Sequence, residues 1–210
     1  ASTGGAIYGP QEYSPADERH PARPCSPYGV AKLAVEHYLE YYRQVHGLRY
    51  AVLRYANVCG PRQDPEGEAG VVGIFCARLL AGEPLTIYGD GRQTRDYVYV
   101  EDVARANVLA LDWLRDAAEW VREGRPVFNV GTGVETSVLR LAGLLGEVAA
   151  RPCRLRHAPA RAGEQARSAV APARAARVLG WRPTVPLAEA LARTLAWCRE
   201  RQGAPAGAAR

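Results

Sequence analysis

The 210-residue sequence contains no methionine, no apolar run near the ~20 residues that a membrane-spanning helix needs, and no basic-then-apolar opening segment. These absences argue against a membrane or secreted protein, so a cytoplasmic setting is expected. The five cysteines, Cys25, Cys59, Cys76, Cys153 and Cys198, form no Cys-x-x-Cys pair and no Cys/His cluster. Neither a zinc site nor a disulfide framework is indicated, and reduced thiols without a bound metal are expected. The net charge of +5 comes without a block of Lys/Arg or a basic stripe interleaved with aromatics. That argues against a nucleic-acid partner and suits small anionic substrates. Also missing is a G-x-x-G-x-x-G or G-x-G-x-x-G turn after a strand, so nothing here cradles a dinucleotide pyrophosphate. With no methionine, and with Ala1-Ser2-Thr3 reading as a strand end, the chain is expected to begin mid-protein; a removed initiator methionine is the alternative.

What is present is enough for a globular core, with 48% hydrophobic residues. Residues 11–27 are a proline-rich surface loop ending where Ser26 can cap a helix and Pro27 can occupy its first turn. From Tyr28 to His46, Val30, Leu33, Ala34, Tyr38, Tyr41 and Val45 recur at helical spacing, a stripe expected to pack against the core or a partner helix, and Gly47 closes the helix. Further strands are expected at Tyr50–Tyr55, Leu85–Tyr88, Arg95–Val100, Pro126–Val130 and Cys153–His157. Helices are expected at Val71–Ala81, from Glu101 to Arg115, and at Ser137–Ala149, Pro172–Leu179 and Leu187–Arg201. The segments 57–62, 89–91 and 131–133 read as turns, and residues 202–210 as a frayed tail. The alternation defines an α/β chain: the carboxy-terminal part of a Rossmann-like, doubly wound parallel sheet with a smaller mixed α/β substrate-binding lobe. Residues 1–62 are assigned to the sheet domain and 63–201 mainly to the lobe, interleaved with returning sheet elements.

Tyr28 and Lys32 lie four apart on the first turns of the long helix, on one face. An ammonium held over a phenol favours the phenolate, which can take a proton from an alcohol. The same spacing also arises when a tyrosine simply packs on a lysine stem.

The order of motifs is more specific. Ser2-Thr3-Gly4-Gly5-Ala6-Ile7-Tyr8-Gly9, Ser26-Pro27-Tyr28 with Lys32, Leu53 to Arg62, Gly89-Asp90-Gly91 with Arg95 to Val100 and Asp102, Phe128-Asn129-Val130-Gly131, and Leu179-Gly180-Trp181 with Pro183 run in sequence. Together they resemble the extended short-chain dehydrogenase/reductases, NAD-dependent epimerases and dehydratases, most closely the UDP-glucose (UDP-galactose) 4-epimerases, without the amino-terminal glycine-rich half. The resemblance implies NAD as cofactor and a UDP-sugar as substrate. It implies Tyr28 as acid/base and Lys32 as its partner at the nicotinamide ribose, with Tyr55 and Val58 bordering the nicotinamide. It implies Asn57, Arg95 and Arg161, within Arg161-Ala162-Gly163-Glu164, at the diphosphate, and Val71, Val72 and Tyr88 at the uridine. Ser168 falls where a small residue leaves room for an N-acetyl group, so N-acetylated UDP-hexoses are a hypothesised second substrate. The helix-bundle dimers of that family imply a homodimer through the Tyr28–His46 helix, and residues 1–210 alone are expected to be inactive.

Three departures from the resemblance stand out. Gly4 occupies the position of a Ser or Thr that binds the sugar hydroxyl, so either Thr3, with Ser2 as a weaker candidate, or a water supplies that bond, or Tyr28 acts alone. Gly4-Gly5 also lacks the Asp-Glu used by 4,6-dehydratases, favouring epimerisation over elimination by a dehydratase or another reductase. Ala171 stands where relatives commonly have an aspartate. A non-catalytic nucleotide-sugar-binding role is the remaining alternative.

Overall fold

A computed structural model describes residues 1–63, 70–124, 126–161 and 163–203. A three-stranded parallel sheet comprises β1 (Ser2–Thr3), β2 (Val52–Tyr55) and the later β-strand Val127–Val130, with β2 in the centre. Ser2 registers with Arg54, and Val52 through Tyr55 with Val127 through Val130. Between them in sequence lie α1 (Gly4–Ile7) and α2 (Pro27–His46). The chain continues through β3 (Asn57–Cys59), α3 (Val71–Leu80), β4 (Leu85–Tyr88), β5 (Thr94–Arg95), β6 (Tyr97–Tyr99), α4 (Val100–Arg115) and α5 (Ala117–Glu123) to that later strand, β7. Then come β8 (Thr136–Ser137), α6 (Val138–Val148), β9 (Leu155–Ala158), α7 (Ala173–Val178) and α8 (Leu187–Gly203). β3 pairs parallel with β6 and β4 with β9, while β5 and β8 are antiparallel. No described helix is long and apolar enough to cross a membrane.

The ends of α2 follow from local chemistry. Ser26 is extended at φ −137°, and its Oγ accepts from Gly29 N at 3.1 Å. Gly47 closes the helix at φ +68°, a conformation that costs a residue with a Cβ. The apolar stripe of the helix does not face the core of this chain. Val30, Ala34, Tyr38, Tyr41 and Val45 are exposed, and within the helix only Gly29 and Glu36 are fully buried, with Leu33 and Leu39 half-buried. The reason is that α2 docks through a charged residue: Glu36 meets Arg54 of β2 at 2.6 Å in a buried ion pair.

Two cores carry most of the burial. One gathers Leu53, Val98, Val103, Trp113, Phe128 and Trp181, with Trp113 edge-on to Phe128 at 5.2 Å. The other gathers α3, α6 and α8 around Leu85, Ile87, Tyr97 and Tyr99. Asp102, in the first turn of α4, holds the returning C-terminal segment: it accepts from Thr184 N and Oγ1 and Val185 N, and the backbone O accepts from Trp181 Nε1 at 2.7 Å.

Several local expectations are corrected. Residues 4–7 form a helical turn, the expected strand 95–100 breaks at Asp96 into β5 and β6, the expected turn at 57–59 is β3, and α5 and β8 are additional elements. The last helix runs to Gly203, beyond the expected start of the tail; residues 204–210 and Ala162 lie outside the described residues.

Candidate active site

The first turn of α2 lies against the chain's opening segment. A Cβ on Gly29 would sit 2.9 Å from Ala6 O and 2.8 Å from Pro24 Cβ, so only glycine permits this approach. The docking presents Tyr28, 55% exposed, outward. Lys32 Nζ lies 5.8 Å from the centre of the Tyr28 ring and donates to Ala1 O at 3.3 Å. The pair therefore straddles residues 1–6 on an accessible face.

The β1–α1 segment on which α2 packs also carries a cup of polar atoms. The point where a Gly5 Cβ would project is 3.7 Å from Asn57 Oδ1, 3.8 Å from Thr3 Oγ1 and 3.9 Å from Ser168 Oγ. The buried Asp96, in the break between β5 and β6, assembles it: Asp96 O accepts from Asn57 N at 2.9 Å, and Asp96 N donates to Ser168 O at 2.9 Å. Its carboxylate accepts from Thr132 N and Oγ1, Gly133 N and Val170 N. Burial pushes the Asp96 carboxyl upward, while these hydrogen bonds pull it back. A Cβ on Gly131 would come within 2.5 Å of Asp96 Oδ2, which accounts for that glycine.

Ser2 and Thr3 are adjacent but differently engaged. Thr3 Oγ1 accepts from Ala6 N at 3.2 Å as the N-cap of α1, leaving its proton to donate. Ser2 spends its proton on Glu36 Oε1 at 2.6 Å. Glu36 also takes Arg54 Nε and Nη2; Arg54 Nη1 donates to Tyr8 OH, and Tyr8 OH to Asn129 Oδ1 at 2.7 Å. This buried network runs from β1 under α2 to β7. Sequence reading missed Gly5, Glu36 and Arg54; the polar residue four after Lys32 on the same helical face is the signal that could have found Glu36.

The other candidates lie in four separate sets of contacts. Arg95 Nη1 donates to Thr94 O and Gln165 O, each at 2.8 Å, and Nη2 to Glu164 Oε1 at 3.1 Å, so Glu164 holds the arginine rather than facing open space alone. Arg161 stacks 3.9 Å above the Tyr88 ring, and its hydrogen bond and charge lower the Tyr88 phenol's pKa. Val71 packs partly against the α3/α6/α8 core, and Val72, 2% exposed, lies within it. Tyr55 OH donates to Asn107 Oδ1 at 2.9 Å, and burial raises its pKa; Tyr55 and Val58 both pack on the first core. Among the described residues no group of three His, Cys, Asp or Glu could hold a metal ion.

Tested against a dinucleotide, Tyr28 and Lys32 fit the nicotinamide-ribose end, offering an accessible hydroxyl and ammonium on one face. The sequence contains no glycine-rich turn for the pyrophosphate end.

Residues 1–131 match the model of the NAD dependent epimerase/dehydratase family, and the chain belongs to that family. It is 44% identical over 200 residues to a putative UDP-glucose 4-epimerase of Methanocaldococcus jannaschii, covering 95% of this chain and 62% of that protein. A structure of the Thermotoga maritima UDP-glucose 4-epimerase with UDP-glucose superposes with a TM-score of 0.88 at 45% identity, covering 96% of this chain and 62% of that one. The Thermus thermophilus UDP-glucose 4-epimerase in complex with NAD gives 0.83 at 42% identity, covering 99% and 63%. The chain thus spans somewhat over six-tenths of the length of these proteins.

Proposed function

We propose that this chain supplies the acid/base and substrate-binding part of an NAD-dependent nucleotide-sugar 4-epimerase that interconverts UDP-glucose and UDP-galactose. The observation that carries this reading is the cup formed by Thr3, Asn57 and Ser168 at the β1–α1 segment on which α2, carrying the outward-facing Tyr28 and Lys32, is docked. Tyr28 takes the proton of the sugar 4-hydroxyl, with Lys32 beside its ring, and Thr3 donates to the same hydroxyl oxygen. NAD, when bound, supplies the redox chemistry, accepting a hydride from sugar C4 and returning it to the opposite face. Between the two transfers the 4-keto sugar turns over, so the nucleotide end must stay clamped. Arg95, Arg161 and Asn57 serve the diphosphate, where guanidinium forks suit phosphate oxygens, and Tyr88 with Val71 flanks the uridine while Val72 supports it from the core.

Residues 1–62 would complete the dinucleotide-binding domain and residues 63–201 mainly the lobe, interleaved with returning sheet elements; the pairing of β7 with β2 and a first core that joins Leu53 to Val98, Phe128 and Trp181 support that interleaving. The exposed Val30, Tyr38, Tyr41 and Val45 support a second copy packing along α2, and the protein is assigned to the cytoplasm. Ser168, small and at the cup, supports entry of N-acetylated UDP-hexoses; an enzyme that turns over UDP-glucose but neither binds nor turns over UDP-GlcNAc would end that extension.

The test is Tyr28→Phe in the protein carrying its dinucleotide-binding part, with isomerisation followed from UDP-galactose. Turnover is expected to fall about 100- to 10,000-fold with UDP-glucose affinity retained. Unchanged turnover would remove Tyr28 from the reaction.

A further inference from the structure

The segment that follows β9 folds back over the end of β4. Ala158 registers opposite Tyr88, and Gly89 N donates to Ala158 O at 2.9 Å. The point where a Gly89 Cβ would project is 3.4 Å from Ala160 Cβ, so the chain is held against the turn after Tyr88. Arg161 then opens a four-residue turn: Glu164 N donates to the Arg161 carbonyl at 3.3 Å, and Gly163 has φ +74°, a conformation that favours glycine. With its backbone placed in this way, the exposed Arg161 side chain lies over the half-buried Tyr88, the guanidinium carbon 3.9 Å from the ring centre.

That is a stacking distance, and a guanidinium is planar, so it fills the space that a flat base would need on the same face of the ring. Tyr88, assigned to the uridine, and Arg161, assigned to the diphosphate, are thus engaged with each other. Arg95 differs, since its guanidinium is tied to Thr94 O, Gln165 O and Glu164 Oε1.

We propose that Arg161 is a specificity-determining residue that makes the site select a base carrying a diphosphate over the base alone: its guanidinium covers Tyr88 until a nucleoside diphosphate takes its place on the ring and draws it onto a phosphate. The proposal rests on the assignment of this site to a UDP-sugar. Uridine without phosphates has to uncover the ring and offers the displaced cation only water, so part of its stacking is offset. UDP uncovers the same ring but gives the guanidinium fork phosphate oxygens to hold. Only the side chain has to turn, because the backbone of Arg161 is anchored through Glu164, the residue that also holds Arg95.

The experiment compares uridine with UDP as ligands of the protein carrying its dinucleotide-binding part, by titration calorimetry, with uridine read through its competition against UDP. Arg161→Ala should tighten uridine about 2- to 30-fold, the range of a cation stacked on an aromatic ring. The same variant should lower the UDP-to-uridine affinity ratio about 10- to 150-fold: uncovering the ring helps both ligands and cancels in the ratio, which leaves the lost charge-assisted bond to phosphate. Tyr88→Leu should weaken both ligands, and in that background Arg161→Ala should no longer tighten uridine. Uridine affinity that is unchanged or weaker in Arg161→Ala, with Tyr88→Leu still weakening both ligands, would overturn the proposal and leave the uridine assignment standing. Tightening that persists in the Tyr88→Leu background would overturn it as well. Tyr88→Leu without effect on either ligand would remove the base from Tyr88 and end both readings. Arg161 is exposed and belongs to neither core, so its replacement leaves the packing in place.

Discussion

Replacing Glu36 with glutamine should destabilise the chain more than most single changes at this distance from its cores. The Glu36 and Arg54 side chains are 9% and 5% exposed. The carboxylate accepts three hydrogen bonds, from Ser2 Oγ at 2.6 Å, Arg54 Nε at 3.0 Å and Arg54 Nη2 at 2.6 Å. Burial opposes the Arg54 charge, but the hydrogen bonds to Glu36 and the neighbouring Tyr8 hold its pKa above the ordinary value. Without the carboxylate charge, a guanidinium remains in a site built to neutralise it. Breaking a buried pair from one side costs about 3–5 kcal/mol, whereas replacing both partners with apolar residues of similar volume costs far less. For a chain of this size that is a fall of about 6–20 °C in Tm. Thermal unfolding by circular dichroism of E36Q, of R54M and of an E36L/R54M double variant is the assay. The double variant should be more stable than either single one. A loss below about 1 kcal/mol for E36Q, or a double variant whose loss equals the sum of the singles, would refute the reasoning.

Gly9 has φ +63°, and an added Cβ would lie 2.0 Å from Arg23 O, while Gly47 has φ +68° with nothing within 4 Å. Gly47→Ala is expected to cost about 1–2 kcal/mol and Gly9→Ala clearly more, compared by guanidinium midpoints; equal effects would mean that the loop carrying Arg23 moves aside freely. Glu135 accepts from Arg167, Thr94 Oγ1 and Ser14 Oγ, and these hydrogen bonds, led by Arg167, lower its pKa from 4.5 to about 2. Because the folded value is the lower one, the stabilisation is complete above pH 4.5 and is lost as pH falls toward 2. The stability gap between the native chain and Glu135→Gln should therefore be flat near neutrality and close over that acid range; a flat gap down to pH 2 would dismiss the clamp. In the protein carrying its dinucleotide-binding part, Thr3→Ala should lower kcat, whereas Ser2→Ala should leave kcat near native and cost about 1.5–3 kcal/mol of stability through the lost hydrogen bond to the Glu36 carboxylate. Equal, negligible changes in turnover for both would return the hydroxyl contact to a water or to Tyr28 alone.

The sequence made α2 legible at its ends because capping is local: Ser26, Pro27 and Gly47 carry the signal within a few residues. Its orientation was not legible, since the docking face is set by Glu36, and the partner is Arg54 on a strand reached only after the helix ends. β3 was obscured for a related reason. Three residues opening on Asn57 have no alternation to read, and the pairing that makes them a strand comes from Tyr97–Tyr99, some forty positions later. The individual cup residues could be named from motif order. Their convergence could not, because it depends on the Asp96 backbone bonding Asn57 on one side and Ser168 on the other.

That dependence links the two halves of the site. Tyr28, Lys32 and Glu36 follow at successive four-residue steps along α2, so the face that presents Tyr28 and Lys32 also buries the ion pair one turn further on. Ser2 ties that ion pair to β1, and Thr3, the next residue, alternates to the other side of the strand and reaches the cup. The β1 register, Ser2 opposite Arg54 and Thr3 opposite Tyr55, therefore sets both the depth of α2 and the height of the Thr3 hydroxyl. A one-residue slip would exchange their roles, placing the threonine on Glu36 and leaving Gly4 at the cup. Gly4 itself is fixed by packing: its backbone lies so close to the segment after Ser168 that a Cβ would come within 2.6 Å of Val170 Cγ1. Glycine at position 4 thus has a packing cause, and the proposed contact to the sugar hydroxyl falls to Thr3, whose proton is free to donate.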